Sequence, residues 1–151
     1  MNYVHQLTKT LDEYYAKAPV LPTNAKELLV SFAPWLTLIA GVLALLSGVS
    51  LFGLLGLATS IAPYAVAAGF GGYAIPAIVS LLVVLVTGVI YLLAFAPLKA
   101  KKVKGWNLLF YAMLLYVLSS VVRLSVFGIV EAVIGFLIGY YFLYQVKSYY
   151  K

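Results

Sequence analysis

At 151 residues, with 65% hydrophobic and only 9% charged residues and a mean hydropathy of +1.07, the chain is too apolar to be a water-solvated domain. Without cysteine it can form no disulfide, no thiolate nucleophile and no sulfur-ligated metal centre. The formal charge of +6 does not point to nucleic acid, because the basic residues stand at the ends of apolar runs rather than along one face; anionic lipid head groups suit that placement better.

Val4, Leu7, Leu11, Tyr14 and Ala18 recur at intervals of three and four, with Lys9, Asp12 and Lys17 mostly elsewhere on the wheel. The spacing predicts a short amphipathic helix lying on the membrane surface. Pro19 and Pro22 end it. Residues 1–23 are then a cytoplasmic amphipathic segment with a proline linker, and residues 24–151 form one membrane domain. Nothing in residues 1–30 has the pattern of a cleaved signal peptide, so the first long apolar run is expected to insert uncleaved.

Asn24 and Glu27 resemble a capping pair, which predicts a helix from Ala25, bent at Pro34. The run 35–57 carries no charge and extends about 34 Å as helix, enough to span a bilayer. Residues 58–74 hold Pro63, Gly69, Gly71 and Gly72 and are expected to break helix, lying at the interface or folding back, with Tyr64, Phe70 and Tyr73 as anchors. The second span is 75–98, halted near Pro97 before Lys99, Lys101, Lys102 and Lys104, which are placed to meet lipid head groups. Trp106 opens the third span, 106–122, and the fourth is 127–146. A single helix over the whole of that stretch would be about 60 Å long, twice the hydrocarbon thickness. The cluster Ser119, Ser120, Arg123, Ser125 and Gly128 therefore predicts a hairpin.

The expected fold is all-α, a polytopic four-transmembrane-helix bundle with a short N-terminal interfacial helix. In that arrangement the nine lysines fall on one side and Arg123 on the other, which places the N- and C-termini and the lysine-rich turn in the cytoplasm of a multi-pass cell-membrane protein. Small residues at Ala40, Ala44 and Gly48 on the first span, and at Gly135 and Gly139 on the fourth, are expected to let helix backbones approach within one monomer. Ser50, Phe52 and Gly53 recur as Ser125, Phe127 and Gly128, a faint echo that falls short of an internal repeat.

The segment Gly105-Trp106-Asn107-Leu108-Leu109-Phe110-Tyr111 and the ending from Gly135 to Lys151, with Gln145-Val146-Lys147-Ser148-Tyr149-Tyr150, resemble small uncharacterised four-helix integral membrane proteins of bacteria. That resemblance covers the C-terminal half, implies the architecture, and carries over no activity and no functional residue.

Chemistry has few places to sit. Glu131 is the ionisable residue expected inside a span, and Arg123, eight residues earlier across the proposed hairpin, is its expected partner. His5, the sole histidine, has no neighbouring ligands in sequence, so no metal, cofactor or catalytic residue is assigned. Tyr140, Tyr141, Tyr144, Tyr149 and Tyr150 crowd the C-terminal stretch as an interface belt, with an aromatic cage for a lipophilic cation as the alternative. The expected function is a non-enzymatic structural or interaction protein of the membrane. The alternative is a small oligomeric transporter or channel using Glu131. The expected partners are the bilayer and its anionic head groups, with a second copy or another membrane protein left open and nucleic acid excluded.

Overall fold

The computed structural model describes residues 2–67, 74–122 and 126–151. These form five helices: α1 (Asn2–Tyr15), α2 (Thr23–Ala67), α3 (Ala74–Lys99), α4 (Val103–Val122) and α5 (Val126–Gln145), followed by a 3₁₀ turn, Lys147–Tyr149. Three stretches, Thr23–Leu54, Pro76–Lys99 and Phe127–Gln145, are long and apolar enough to cross a membrane. The 20 residues of α4 make a helix of similar length, about 30 Å, whose first turns carry Lys104 and Asn107.

The first correction concerns α2. It starts at Thr23 rather than Ala25, with the Pro22 carbonyl accepting the Lys26 N–H at 3.1 Å. It then runs 45 residues through both Pro34 and Pro63, so the expected break from residue 58 is helix as far as Ala67. Each proline removes one donor from the ladder, whereas unwinding the segment in an apolar medium would leave several groups unpaired. Thr37, itself buried, donates its hydroxyl to the Pro34 carbonyl at 2.8 Å. The glycine-bearing loop with Gly69, Phe70, Gly71, Gly72 and Tyr73 lies outside the described residues, as do Arg123 and Ser125 and the side chains of Val4, His5, Leu7 and Tyr64.

Helices that follow one another pack together: α2 on α3, α3 on α4 and α4 on α5, while α1 lies against α5. Close approach of α2 and α3 depends on missing side chains. A Cβ on Gly41 would lie 3.1 Å from the Gly88 carbonyl oxygen, and one on Gly88 would lie 3.2 Å from the Ala44 Cβ. Gly48 faces Leu85 in the same seam. In α5, Gly139 receives the Met113 side chain, but Gly135 faces open space and does not share that contact. Four residues turn a helix about 40° past a full rotation, which carries Gly135 off the α4 seam and onto the exposed flank of α5.

Between α3 and α4 the chain reverses within three residues. The Lys102 N–H bonds the Pro97 carbonyl at 2.8 Å and the Lys101 N–H bonds that of Leu98 at 3.0 Å, which is a Schellman ending with Lys101 in the left-handed region at φ 51°. Gly105 lies immediately against this corner: a Cβ there would meet the Leu98 backbone nitrogen at 2.7 Å. The C-terminal residue closes the corner from outside, as Lys151 donates its N–H to the Lys101 carbonyl at 3.0 Å and accepts the Val103 N–H at 3.2 Å.

The buried core gathers at this lysine-bearing end. Ala94 and Leu98 of α3, Trp106 and Phe110 of α4, and Tyr140 and Leu143 of α5 interlock with Val30, Val146 and Tyr150. Toward the other end the helices present bare apolar faces, and Phe127 is 90% exposed.

Candidate functional site

The lysine-bearing end holds long-range polar contacts among the described residues, and α1 takes part in several of them. On α1, Thr8, Leu11, Asp12 and Tyr15 share one face by their spacing of three and four. Asp12 accepts the Tyr140 hydroxyl at 2.9 Å through Oδ1 and pairs with the Lys147 ammonium through Oδ2. Tyr15 donates to the Leu137 carbonyl at 2.8 Å, and its ring lies 5.4 Å from Tyr140, 6.3 Å from Tyr141 and 6.2 Å from Tyr144. Beyond the helix, the Pro19 carbonyl accepts both the Tyr141 hydroxyl at 2.7 Å and the Gln145 amide at 3.0 Å.

Two expectations change here. The expected apolar stripe included Tyr14, yet Tyr14 is 75% exposed and its neighbour Tyr15 is the residue that packs on α5. Asp12 is expected mostly elsewhere on the wheel from the apolar stripe, but it points into the bundle because a lysine and a phenol there satisfy it. The signal was present in the sequence as Thr8, Asp12 and Tyr15 on one helical face. What hid it was the unknown partner, 135 residues away in the chain.

Trp106 anchors the α4 side. Its indole N–H donates to the Leu143 carbonyl at 2.9 Å, Phe110 stacks beside it at 5.8 Å and 10°, and Lys147 stands over its ring at 5.0 Å from the centroid. The chain's own lysine therefore takes the cation position on the indole, and the tyrosines of α5 are engaged with α1. Trp35 is used in the same way, with Lys99 at 5.6 Å over the ring and Phe95 edge-on at 5.6 Å.

Two clefts open at this end. One of about 440 Å³ lies between the start of α2 and the α3–α4 corner and is bordered by Glu27, Ser31, Trp35, Lys99 and Lys101. The other, about 700 Å³, lies between α1, α4 and the C-terminal residues and is bordered by Lys9, Asp12, Trp106, Asn107, Lys147 and Tyr150. Lys102 and Lys104 are exposed beside them. Tyr150 is 5% exposed and its hydroxyl has no hydrogen-bond partner among the described residues; burial pushes that hydroxyl above the ordinary tyrosine range, as it does for Tyr15.

The remaining expected residues are scattered. Glu131 is exposed on the flank of α5 that also carries Phe127, Ile134 and Ile138, away from both clefts. Its expected partner, Arg123, lies outside the described residues. Ala40 and Ala44 are half-buried along α2, and Ala44 meets Gly88. Gly41 and Gly88 belong to the same seam and are additional to the small residues expected there; for Gly88, its standing as the sole glycine of the run 75–98 was the available sign. Among the described residues no three His, Cys, Asp or Glu side chains come together. Compared with known proteins, the chain matches no family model, no curated protein and no solved structure.

Proposed function

We propose that the chain is a four-span protein of the cell membrane, with both termini and the lysine turn in the cytoplasm, acting as a non-enzymatic interaction or structural protein held to anionic lipid. The observation that carries this reading is the pairing of Lys151 with Lys101 and Val103: residues before α4 and after α5 sit together, which supports α4 and α5 crossing as a pair. Asp12 joined to Lys147 brings the N-terminal helix to the same end. Nine lysines on one side agree with cytoplasmic placement. The polar groups in that region join α1 and the residues after it to α5 and Lys147, which supports a fastening role.

Single cysteines test the topology on a chain that has none of its own. Variants at Lys102 and Ser148 are expected to resist an impermeant thiol reagent in intact cells, while one at Gly71 reacts. Labelling of the first two from opposite sides would overturn four spans. Proteoliposomes test the activity class: proton or lipophilic-cation flux abolished by Glu131→Gln would replace the interaction reading with a transporter.

A further inference from the structure

The cleft of about 700 Å³ between α1, α4 and the C-terminal residues has the features of a ligand site that the fastening contacts do not use. Its charges are unbalanced. Asp12 is committed to Lys147 and Tyr140, which leaves Lys9, exposed at the rim and in no ion pair among the described residues, as a net positive charge. Asn107 offers an amide on the α4 wall, half-buried. Tyr150 stands in the wall of the same cleft, and its buried hydroxyl has no hydrogen-bond partner among the described residues. Around these polar groups the wall turns apolar: Val103 and Tyr111 are 43% and 46% exposed on α4.

A polar pocket with one excess positive charge, opening onto an apolar helix face beside an interfacial tryptophan, fits an amphiphile better than a small ion. A free anion would use the charge and leave Val103 and Tyr111 uncovered. We infer that this cleft binds the head group of an anionic phospholipid, its phosphodiester against Lys9 and Asn107 and its glycerol and first acyl carbons along Val103 and Tyr111. The inference rests on the membrane reading above and makes it specific. Because α1 forms one wall, the site exists only while α1 is docked, so the lipid and the Asp12–Lys147 pair stabilise the same arrangement.

The two tryptophans make the test local. Trp35→Phe leaves Trp106, in the wall of the cleft, as the only indole. The purified full chain in detergent is titrated with phosphatidylglycerol brominated near the top of its acyl chains. Saturable quenching of Trp106 is expected, displaced by unbrominated phosphatidylglycerol and at least fivefold less well by phosphatidylcholine. Lys9→Gln is expected to raise the half-saturation at least fivefold without lowering the melting temperature, since Lys9 is exposed. Lys17→Gln, exposed and outside the cleft, is expected to leave it unchanged. Non-saturable quenching of equal depth by both lipids would mean ordinary annular contact and overturn the site while leaving the membrane reading intact. Displacement by inorganic phosphate at the same concentrations would overturn the lipid and leave a small-anion site. Failure of the chain to enter bilayers at all would remove the membrane reading itself.

Discussion

At the lysine-bearing end, Trp106, Phe110, Tyr140 and Leu143 are locked between α1 and the C-terminal residues, whereas at the far end Phe52, Leu57 and Phe127 are 70%, 69% and 90% exposed. The two ends obey different driving forces. On the membrane reading proposed above, an exposed phenylalanine in hydrocarbon costs nothing relative to a buried one, and helices associate there where small residues let backbones approach, as at Gly41, Gly48 and Gly88. At the interface water competes for every polar group, and the chain answers with side-chain hydrogen bonds, stacked rings and a corner held shut by Lys151. One end is joined by fit between surfaces, the other by named polar bonds.

Substitutions should separate the two ends, and Gly105 gives the largest effect. Gly105→Ala forces a Cβ to within 2.7 Å of backbone that no rotamer change can move, and is expected to cost about 2–3 kcal/mol in detergent unfolding. The matched change at Gly135, where the added Cβ meets nothing within 4 Å, is expected to cost nothing and to gain up to about 1 kcal/mol from helix propensity. Equal losses at the two sites would erase the distinction between the ends.

Next comes the Asp12–Lys147 pair. Its side chains retain 27% and 40% of their exposure, so its net worth is discounted for solvent to about 0.5–1 kcal/mol. A double-mutant cycle with Asp12→Asn and Lys147→Gln should show non-additive losses, together with faster proteolysis in residues 16–21 when α1 is released. Additive losses would show that α1 is held by its apolar face alone.

Lys101→Gly is expected to stabilise slightly, by less than about 1 kcal/mol, since glycine adopts the left-handed corner without the steric cost a lysine carries. A melting temperature that falls would mean the Lys101 side chain contributes something beyond the corner.

The smallest effect is alkaline and confined to one end. Burial raises the hydroxyls of Tyr15 and Tyr150 above their ordinary value of 10.0. An acid whose folded value is raised gives its full stabilisation below the unfolded value and loses it as pH rises through the folded one. Stability should therefore be flat up to about pH 10 and decline above it, and Tyr15→Phe should shrink that decline. A decline unchanged in the Tyr15→Phe, Tyr150→Phe double variant would assign it elsewhere.

The helices were legible in the sequence because apolar runs and the lysines that stop them report local free energies: α3 ends at Lys99 and α4 at Val122, close to where composition places them. Pro63 misled because it lies inside a helix that continues to Ala67; on the membrane reading, a proline's cost in water is not its cost where unwinding would expose backbone to hydrocarbon. Gly135 and Gly139 look alike by spacing and differ by a rotation that depends on where α4 lies. Neither the Asp12 pairing nor the cleft beside Lys9 could be read ahead, because each is made of residues whose separation in the chain carries no periodic signal.

The separation of Asp12 from Lys147 by 135 residues also sets an order of events during synthesis. α1 leaves the ribosome long before the segment that receives it, with Leu11 and Tyr15 uncovered through the making of α2, α3, α4 and α5. On the membrane reading proposed above, an amphipathic helix in that position would have the membrane surface as its temporary resting place. Its transfer from lipid to α5 would then be one of the last steps of assembly. On that reading, a chain stalled before Lys147 would carry inserted helices and a first helix still waiting on the bilayer.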